Sequence, residues 1–262
     1  MDCRLADTAS NLAVLRRRLR EAVGGGARLV VFPECALTGY SFRDKDEARP
    51  HAEPLPGPAS DAVAADCREL GAWTVFGLLE RDGDRLFNAC ALVGPAGLVA
   101  VYRKVHLPFM GIDRFATPGD RPFAVHDLGG LRLGMNICYD GSFPESARVL
   151  TLLGADLIVL PTNWTTEARA ACHLPEARAL ENHVYYLAVN RAGEERGFRF
   201  AGRSRLIDYR GEVVAAASDG EEIIYGEVDP EAARRKRVVV VPGEHEVDRV
   251  GDRRPEMYGP LV

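Results

Sequence analysis

Apolar residues fall into two rhythms along this chain, helical spacing and short unbroken runs, and the two alternate almost to the end. Residues 4–23 carry Leu12, Leu15, Leu19 and Val23 at helical intervals. Asp7 or Thr8 can cap that helix, and Gly24, Gly25 and Gly26 stop it. Arg16, Arg17, Arg18 and Arg20 read as its solvated face. The glycine run is not a phosphate loop, because a strand follows it and no GK[ST] is present.

The run LVVF at 29–32 predicts a buried strand ending at Pro33 and Glu34. A loop rich in proline and charge covers 41–58, and 59–70 is predicted helical. Strands are predicted at 73–79 and 86–93 around an Asp82-Gly83-Asp84 turn, and at 98–102 after Pro95-Ala96-Gly97. Residues 106–119 read as a loop broken by Pro108, Gly111 and Pro118. Beyond it the pattern predicts a strand at 131–138, a helix at 144–153 and a strand at 157–160. A helix at 167–183 and a strand at 185–190 follow. A terminal hairpin is expected to pair 204–207 with 223–228 around Tyr209-Arg210-Gly211, and the tail from Pro242 reads as irregular. There is no internal repeat and no linker, so one α/β domain with mixed sheets is expected over 1–262. An α/β chain usually opens on a strand and this one opens on a helix. Either the fold lacks that strand or the true start lies upstream of residue 1.

Composition narrows the class. Of 262 residues, 47% are hydrophobic and 27% charged, enough for a large core and too apolar for disorder. A net charge of -5 argues against nucleic acid as partner. No apolar run approaches the roughly 18 residues of a membrane span, and no secretory leader is visible. Cys3, Cys35, Cys67, Cys90, Cys138 and Cys172 are scattered without a CxxC pair, which points to a reducing cytoplasm rather than to disulfides or zinc.

Three residues sit where chemistry is built in an open α/β sheet, at the ends of apolar strands. Cys138 closes LRLGMNIC, and a helix begins just after it with Ser142 and Glu145 at capping-box spacing. Such a turn aims helix N-terminal amides at the side chain and favours a thiolate; a buried structural cysteine is the bland alternative. Glu34 closes LVVFPE, where a carboxylate is costly unless paired or set in a cleft. Lys104 follows the 98–102 strand in YRKVHLP. It is either part of a solvated basic run or an ammonium able to hold an oxyanion. His106 raises the question of a Cys-His dyad but reads as loop structure. His173 and His183 lack the i, i+4 spacing of a zinc helix, so no metal is expected. Asp113 lies in GIDRFATPGD, Asn163 and Trp164 follow a third strand end, and Glu181 reads as a helix-surface or salt-bridge residue.

Taken together, LVVFPECALTGY, YRKVHLP, GMNICYDGSFPE, GADLIVLPTNW, ARALENHVYYLAVNR and DRRPEMYG resemble the nitrilase (carbon–nitrogen hydrolase) superfamily, in family order over nearly the whole chain. The resemblance implies a four-layer αββα sandwich and homo-oligomers built on a dimer. By position it implies Glu34 as general base, Lys104 as oxyanion-stabilising cation, Cys138 as nucleophile and the Tyr139 backbone N–H as second oxyanion donor. Two features depart from the family. Asp113, one methylene shorter, stands where a second glutamate is usual, and the customary first strand is missing. The implied reaction runs through a thioester and needs no cofactor. Nitrile hydrolysers of the family often carry Trp-Glu after the cysteine; Tyr139-Asp140 here favours a small amide or N-carbamoyl substrate. Tyr40, Asn163 and Trp164 are the candidate substrate contacts. The alternatives are a nitrilase, a soluble acyltransferase using the same thioester, and a catalytically silent binding protein on the same fold.

Overall fold

The computed structural model describes residues 1–168 and 173–259. The first half runs α1 (Thr8–Gly24), β1 (Leu29–Val31), α2 (Lys45–Ala48), α3 (Pro58–Leu70), β2 (Trp73–Asp82), β3 (Arg85–Gly94) and β4 (Gly97–Arg103). The second runs β5 (Val125–Asp127), β6 (Arg132–Met135), α4 (Pro144–Leu152), β7 (Leu157–Thr162), α5 (Leu174–Asn182) and β8 (Tyr185–Asn190). There follow β9 (Ala192–Glu195), β10 (Phe198–Ala201), β11 (Arg205–Ile207), β12 (Val213–Ala216), α6 (Pro230–Arg234), β13 (Arg237–Val241) and β14 (His245–Asp248).

Two sheets form the centre. One has the order β1-β2-β3-β4, with β1 parallel to β2 and the rest antiparallel. The other has the order β12-β11-β8-β7-β6-β5, with β6, β7 and β8 parallel. Alternation along the first sheet assigns its two faces. Phe76, Leu78, Ala91 and Val93 pack with Leu15 and Leu19 of α1 and Val63 and Cys67 of α3. Val75, Cys90, Leu92 and Tyr102 point the other way and join Leu133, Met135, Ile158 and Leu160 of the second sheet. Ala147 and Leu150 of α4 and Ala179 of α5 close that core from outside. The result is the expected helix-sheet-sheet-helix layering. Each fully buried Leu, Ile or Val adds about 1.5–3 kcal/mol of hydrophobic stabilisation.

Local chemistry sets most element ends. The Asp7 side chain accepts from Ser10 N–H at 3.1 Å and starts α1. Gly71, in the left-handed region at φ 63°, ends α3. Four expectations need correction. The strand at 131–138 ends at Met135, because the chain turns at Asn136 to present Cys138. The helix expected at 167–183 is α5, Leu174–Asn182; residues 169–172, with Cys172, lie outside the described residues. β11 pairs with β12, not with 223–228, since the 208–212 turn returns the chain at once. The tail opens with a hairpin, where the β-branched run of β13 pairs with β14 across a short turn. The five described cysteines, Cys3, Cys35, Cys67, Cys90 and Cys138, are free. No helix among the described residues is long and apolar enough to cross a membrane.

Candidate active site

Glu34, Lys104 and Asp113 meet between the strand ends. The chain leaves β1 at Phe32 and swings Glu34 over β2. Gly77 allows that approach, since a Cβ there would lie 2.4 Å from the Cys35 nitrogen and 2.6 Å from the Pro33 oxygen. Gly77 N–H donates to the Pro33 carbonyl at 3.2 Å, and Leu37 N–H donates to the Gly77 carbonyl at 3.1 Å. Lys104 follows directly on β4, anchored by its N–H to the Asn88 carbonyl at 2.8 Å. Asp113 sits in a 3-10 turn, Gly111–Arg114. Gly111 begins that turn at φ 50°, where a Cβ would strike the Tyr40 ring at 2.3 Å.

Lys104 Nζ donates to Glu34 Oε1 at 2.7 Å and to Asp113 Oδ2 at 2.6 Å, with all three side chains fully buried. The shorter aspartate therefore reaches the lysine from its 3-10 turn. Asn88 Nδ2 bridges the two carboxylates, at 2.7 Å from Glu34 Oε1 and 2.9 Å from Asp113 Oδ1. Tyr40 hydroxyl donates its one proton to Asp113 Oδ2 at 2.9 Å and lies 3.1 Å from the Met110 carbonyl oxygen. The hydroxyl of Tyr40, a candidate substrate contact, is thus engaged with Asp113. Glu34 Oε2 is buried without a hydrogen-bond partner.

Burial raises the Glu34 carboxyl above its ordinary range; Asp113 adds to the rise, while Lys104 and Asn88 oppose it. Burial works against the Lys104 ammonium, but Glu34 and Asp113 outweigh it and hold it protonated well above the ordinary lysine range. Burial pushes the Cys138 thiol up to about 12; the Glu34 charge adds to this, and Lys104 and the Asn163 backbone N–H oppose it. Desolvation therefore works against the thiolate that the turn was expected to favour.

Cys138 opens a 3-10 turn, Cys138–Ser142, at φ 43°, a strained backbone for a residue with a Cβ. Asp140 holds the turn. Its Oδ2 accepts from Ile137 N–H at 3.0 Å and Tyr102 hydroxyl at 2.7 Å, and its Oδ1 accepts from His106 N–H at 3.0 Å. His106 Nδ1 lies 2.7 Å from the same Oδ1, and its ring stacks on Phe143 at 3.8 Å. His106, read from sequence as loop structure, ties the Lys104 loop to the turn that carries Cys138. The Ser142–Glu145 capping box does not form. Phe143 is the N-cap of α4 without a side-chain bond, and Pro144, with no N–H to satisfy, takes the first position. Tyr139 is the second residue of the 3-10 turn, where backbone N–H groups lack partners within a helix.

Asn163 and Trp164 follow β7 and are buried; both polar atoms of the Asn163 side chain are without partners. Trp164 is fixed by exchange with Asn190, its N–H donating to Asn190 Oδ1 at 2.7 Å and its carbonyl accepting from Asn190 Nδ2 at 3.1 Å. Glu181 pairs with Arg178 at 3.0 Å, the helix salt bridge expected of it. Sequence reasoning missed Asn88 and the Asp140 tie. For Asn88 a signal existed: one amide inside the apolar run LFNACALV must find partners. Among the described residues no group of three His, Cys, Asp or Glu is placed to hold a metal ion.

Sandwich and site together define a class of hydrolase. The carbon-nitrogen hydrolase family model matches residues 1–238, and the chain belongs to that family. It is 38% identical over 263 aligned residues to a nitrilase of Pyrococcus abyssi, covering 98% of this chain and 96% of that protein. It is 33% identical over 224 residues to omega-amidase NIT2 of Homo sapiens, covering 80% of each. A mutant amidase from Nesterenkonia sp. AN1, carrying the acetamide moiety of fluoroacetamide on its active-site cysteine, superposes with a TM-score of 0.81 at 22% identity. That match covers 100% of this chain and 94% of the amidase and shows the shared fold. Saccharomyces cerevisiae Nit3, a member of branch 10 of the nitrilase superfamily, gives 0.80 at 27% identity, covering 93% and 92%. The protein is an enzyme acting on carbon–nitrogen bonds other than peptide bonds.

Proposed function

We propose that the protein hydrolyses a small amide or N-carbamoyl compound through a thioester on Cys138. The observation that carries this reading is the buried Glu34-Lys104-Asp113 cluster with one Glu34 oxygen left unbonded. Oε1 is committed to Lys104 and Asn88, so Oε2 is the oxygen available to move a proton. Burial holds the Cys138 thiol above the ordinary cysteine range, so deprotonation is coupled to attack. Glu34 takes the Cys138 proton as sulfur bonds to the carbonyl carbon. The tetrahedral oxyanion is received by Lys104 Nζ and the Tyr139 backbone N–H. Glu34 returns the proton to the nitrogen, the C–N bond breaks, and ammonia or an amine departs. Water then adds to the thioester, giving its proton to Glu34; collapse releases the acid and the Cys138 thiol.

Asn163 and Trp164 form the wall facing the substrate, and Tyr40 acts through Asp113. The nitrile reading is favoured by the relative named nitrilase; there the thiol adds across the C≡N bond to give a thioimidate, and one further water must add before ammonia leaves and the same thioester is reached. The working form is a homodimer or higher oligomer. Val149, Leu152 and Leu153 of α4 and Val239, Val240 and Val241 of β13 are exposed in the single chain, and burying them between copies would be favourable. Ammonia release from a panel of small amides, N-carbamoyl compounds and nitriles tests the reading. Release that persists in Cys138→Ala overturns it.

A further inference from the structure

The site is built from two halves. Glu34, Lys104 and Asp113 hang from the first sheet, and Cys138, Thr162 and Asn163 from the second. Between them lies an ion pair that the reaction does not use. Arg191 follows β8 and is fully buried despite its size. Its Nη1 donates to Glu195 Oε2 at 2.8 Å, its Nη2 donates to the Cys3 carbonyl, and its guanidinium lies 4.5 Å from the Phe200 ring centre. Glu195 is the last residue of β9 and is also buried.

The pair touches both halves. On the second-sheet side, Arg191 N–H donates to the Thr162 carbonyl at 3.1 Å, and Ala201 N–H donates to the Trp164 carbonyl at 3.0 Å. Thr166 N–H donates to the Arg199 carbonyl at 2.9 Å, and Thr165 and Phe200 form a β-bridge. The β9–β10 hairpin is thereby joined to the segment beside Cys138. On the first-sheet side, Glu195 Oε1 accepts the backbone N–H groups of Tyr40 at 3.0 Å and Ser41 at 2.6 Å. Tyr40 then fixes Asp113, and Asp113 fixes Lys104. One carboxylate thus links a hairpin of one half to the hydrogen-bond chain that ends on the catalytic ammonium.

A buried ion pair is by itself weak evidence for stability, since an apolar pair of equal volume often does as well. An apolar pair could not accept two backbone N–H groups from the facing loop. We propose that Arg191 and Glu195 are positioning residues that register the Glu34-Lys104-Asp113 half against the Cys138 half. The inference rests on the proposed roles of Lys104 and Cys138. Misplacing reacting groups by about 1 Å can cost about 10²-fold in rate, so a loosened register shows in turnover before it shows in substrate binding.

The test is steady-state kinetics of ammonia release, with the best amide of the panel, for wild type, Cys138→Ala, Glu195→Gln, Tyr40→Phe and the Glu195→Gln/Tyr40→Phe double variant, beside thermal melts. The expected result is a kcat loss of about 10- to 100-fold in each of the two single variants, with KM changed less than about threefold. The double variant should be no slower than the worse single, because both changes cut one path. A merely structural role predicts losses that follow melting temperature and multiply in the double variant; that result, or wild-type kcat in folded Glu195→Gln, overturns the proposal. If Glu195→Gln does not fold, Glu195→Asp keeps the charge for Arg191 and withdraws the acceptor from residues 40–41. Wild-type kcat there overturns the proposal equally. Ammonia release that survives in Cys138→Ala refutes the reading of the site itself, whereas Cys138-dependent release with an unaffected Glu195→Gln refutes only the positioning role.

Discussion

Asp113→Asn is the substitution whose consequences the site fixes most closely. Asp113 accepts three donors: Lys104 and Tyr40 at Oδ2, and Asn88 at Oδ1. Only a carboxylate can accept on both oxygens at once. An asparagine must turn its NH₂ either toward the Lys104 ammonium and Tyr40 or toward the Asn88 amide. Flipping Asn88 gives no escape, because its oxygen would then face Glu34 Oε1, which Asn88 now bonds at 2.7 Å. The substitution also breaks a fully buried ion pair at 2.6 Å, a loss of about 3–5 kcal/mol. For a domain of this size that is a fall in Tm of about 6–20 °C. Turnover should fall by at least about 10²-fold, since Lys104 loses one of its two anchors. The charge removed also has a sign. Asp113 raises both the Glu34 carboxyl and the Lys104 ammonium, so both groups move down. The base must be ionised, and the acid limb of the residual activity therefore shifts to lower pH. Thermal melts and kcat/KM against pH, on Asp113→Asn and on the charge-keeping Asp113→Glu, give all three readouts. An asparagine variant with wild-type Tm, kcat and acid limb would refute the reasoning.

Wild-type kcat/KM should fall on the acid side through a group titrating above the ordinary glutamate value of 4.5, because Glu34 is raised and must be ionised to act. An acid limb at or below 4.5 would contradict that. No alkaline fall from loss of the lysine charge is expected below 10.5, the ordinary value that Lys104 exceeds. Asp140→Asn disturbs the four contacts that hold the nucleophile turn, and iodoacetamide labelling of Cys138 should slow together with turnover. In sedimentation, the wild type should run as a dimer or larger and Leu152→Glu/Leu153→Glu should shift it toward monomer.

Much of this was legible in the sequence because it depends on short-range pattern. The strands carrying Glu34, Lys104 and Cys138 are apolar runs with sharp ends, and their C-terminal edges are where the structure gathers the charged groups. What escaped depends on pairing over long separations. Residues 223–228 have strand composition yet stay unpaired, because β12 takes the edge of β11. The Ser142–Glu145 spacing misled because Pro144 needs no cap donor. The turn alone favours a thiolate, and the burial of Cys138 that opposes it is not visible in any local pattern. Asn88 lies 54 residues from Glu34 and 25 from Asp113, so no local rule joins them. Arg191 and Glu195 carry no local signal, since their meaning depends on Tyr40 and Ser41 about 155 residues away in sequence.

The central claim is a covalent acyl-enzyme on Cys138. Its most direct test is intact-protein and peptide mass spectrometry of enzyme quenched with acid during turnover of a slow amide, beside Cys138→Ala. The expected result is a mass increase equal to the acyl group, mapped to the peptide holding Cys138, absent from Cys138→Ala and lost as hydrolysis completes. Ammonia release at full rate with no adduct on Cys138, or an unaltered rate in Cys138→Ala, would contradict it.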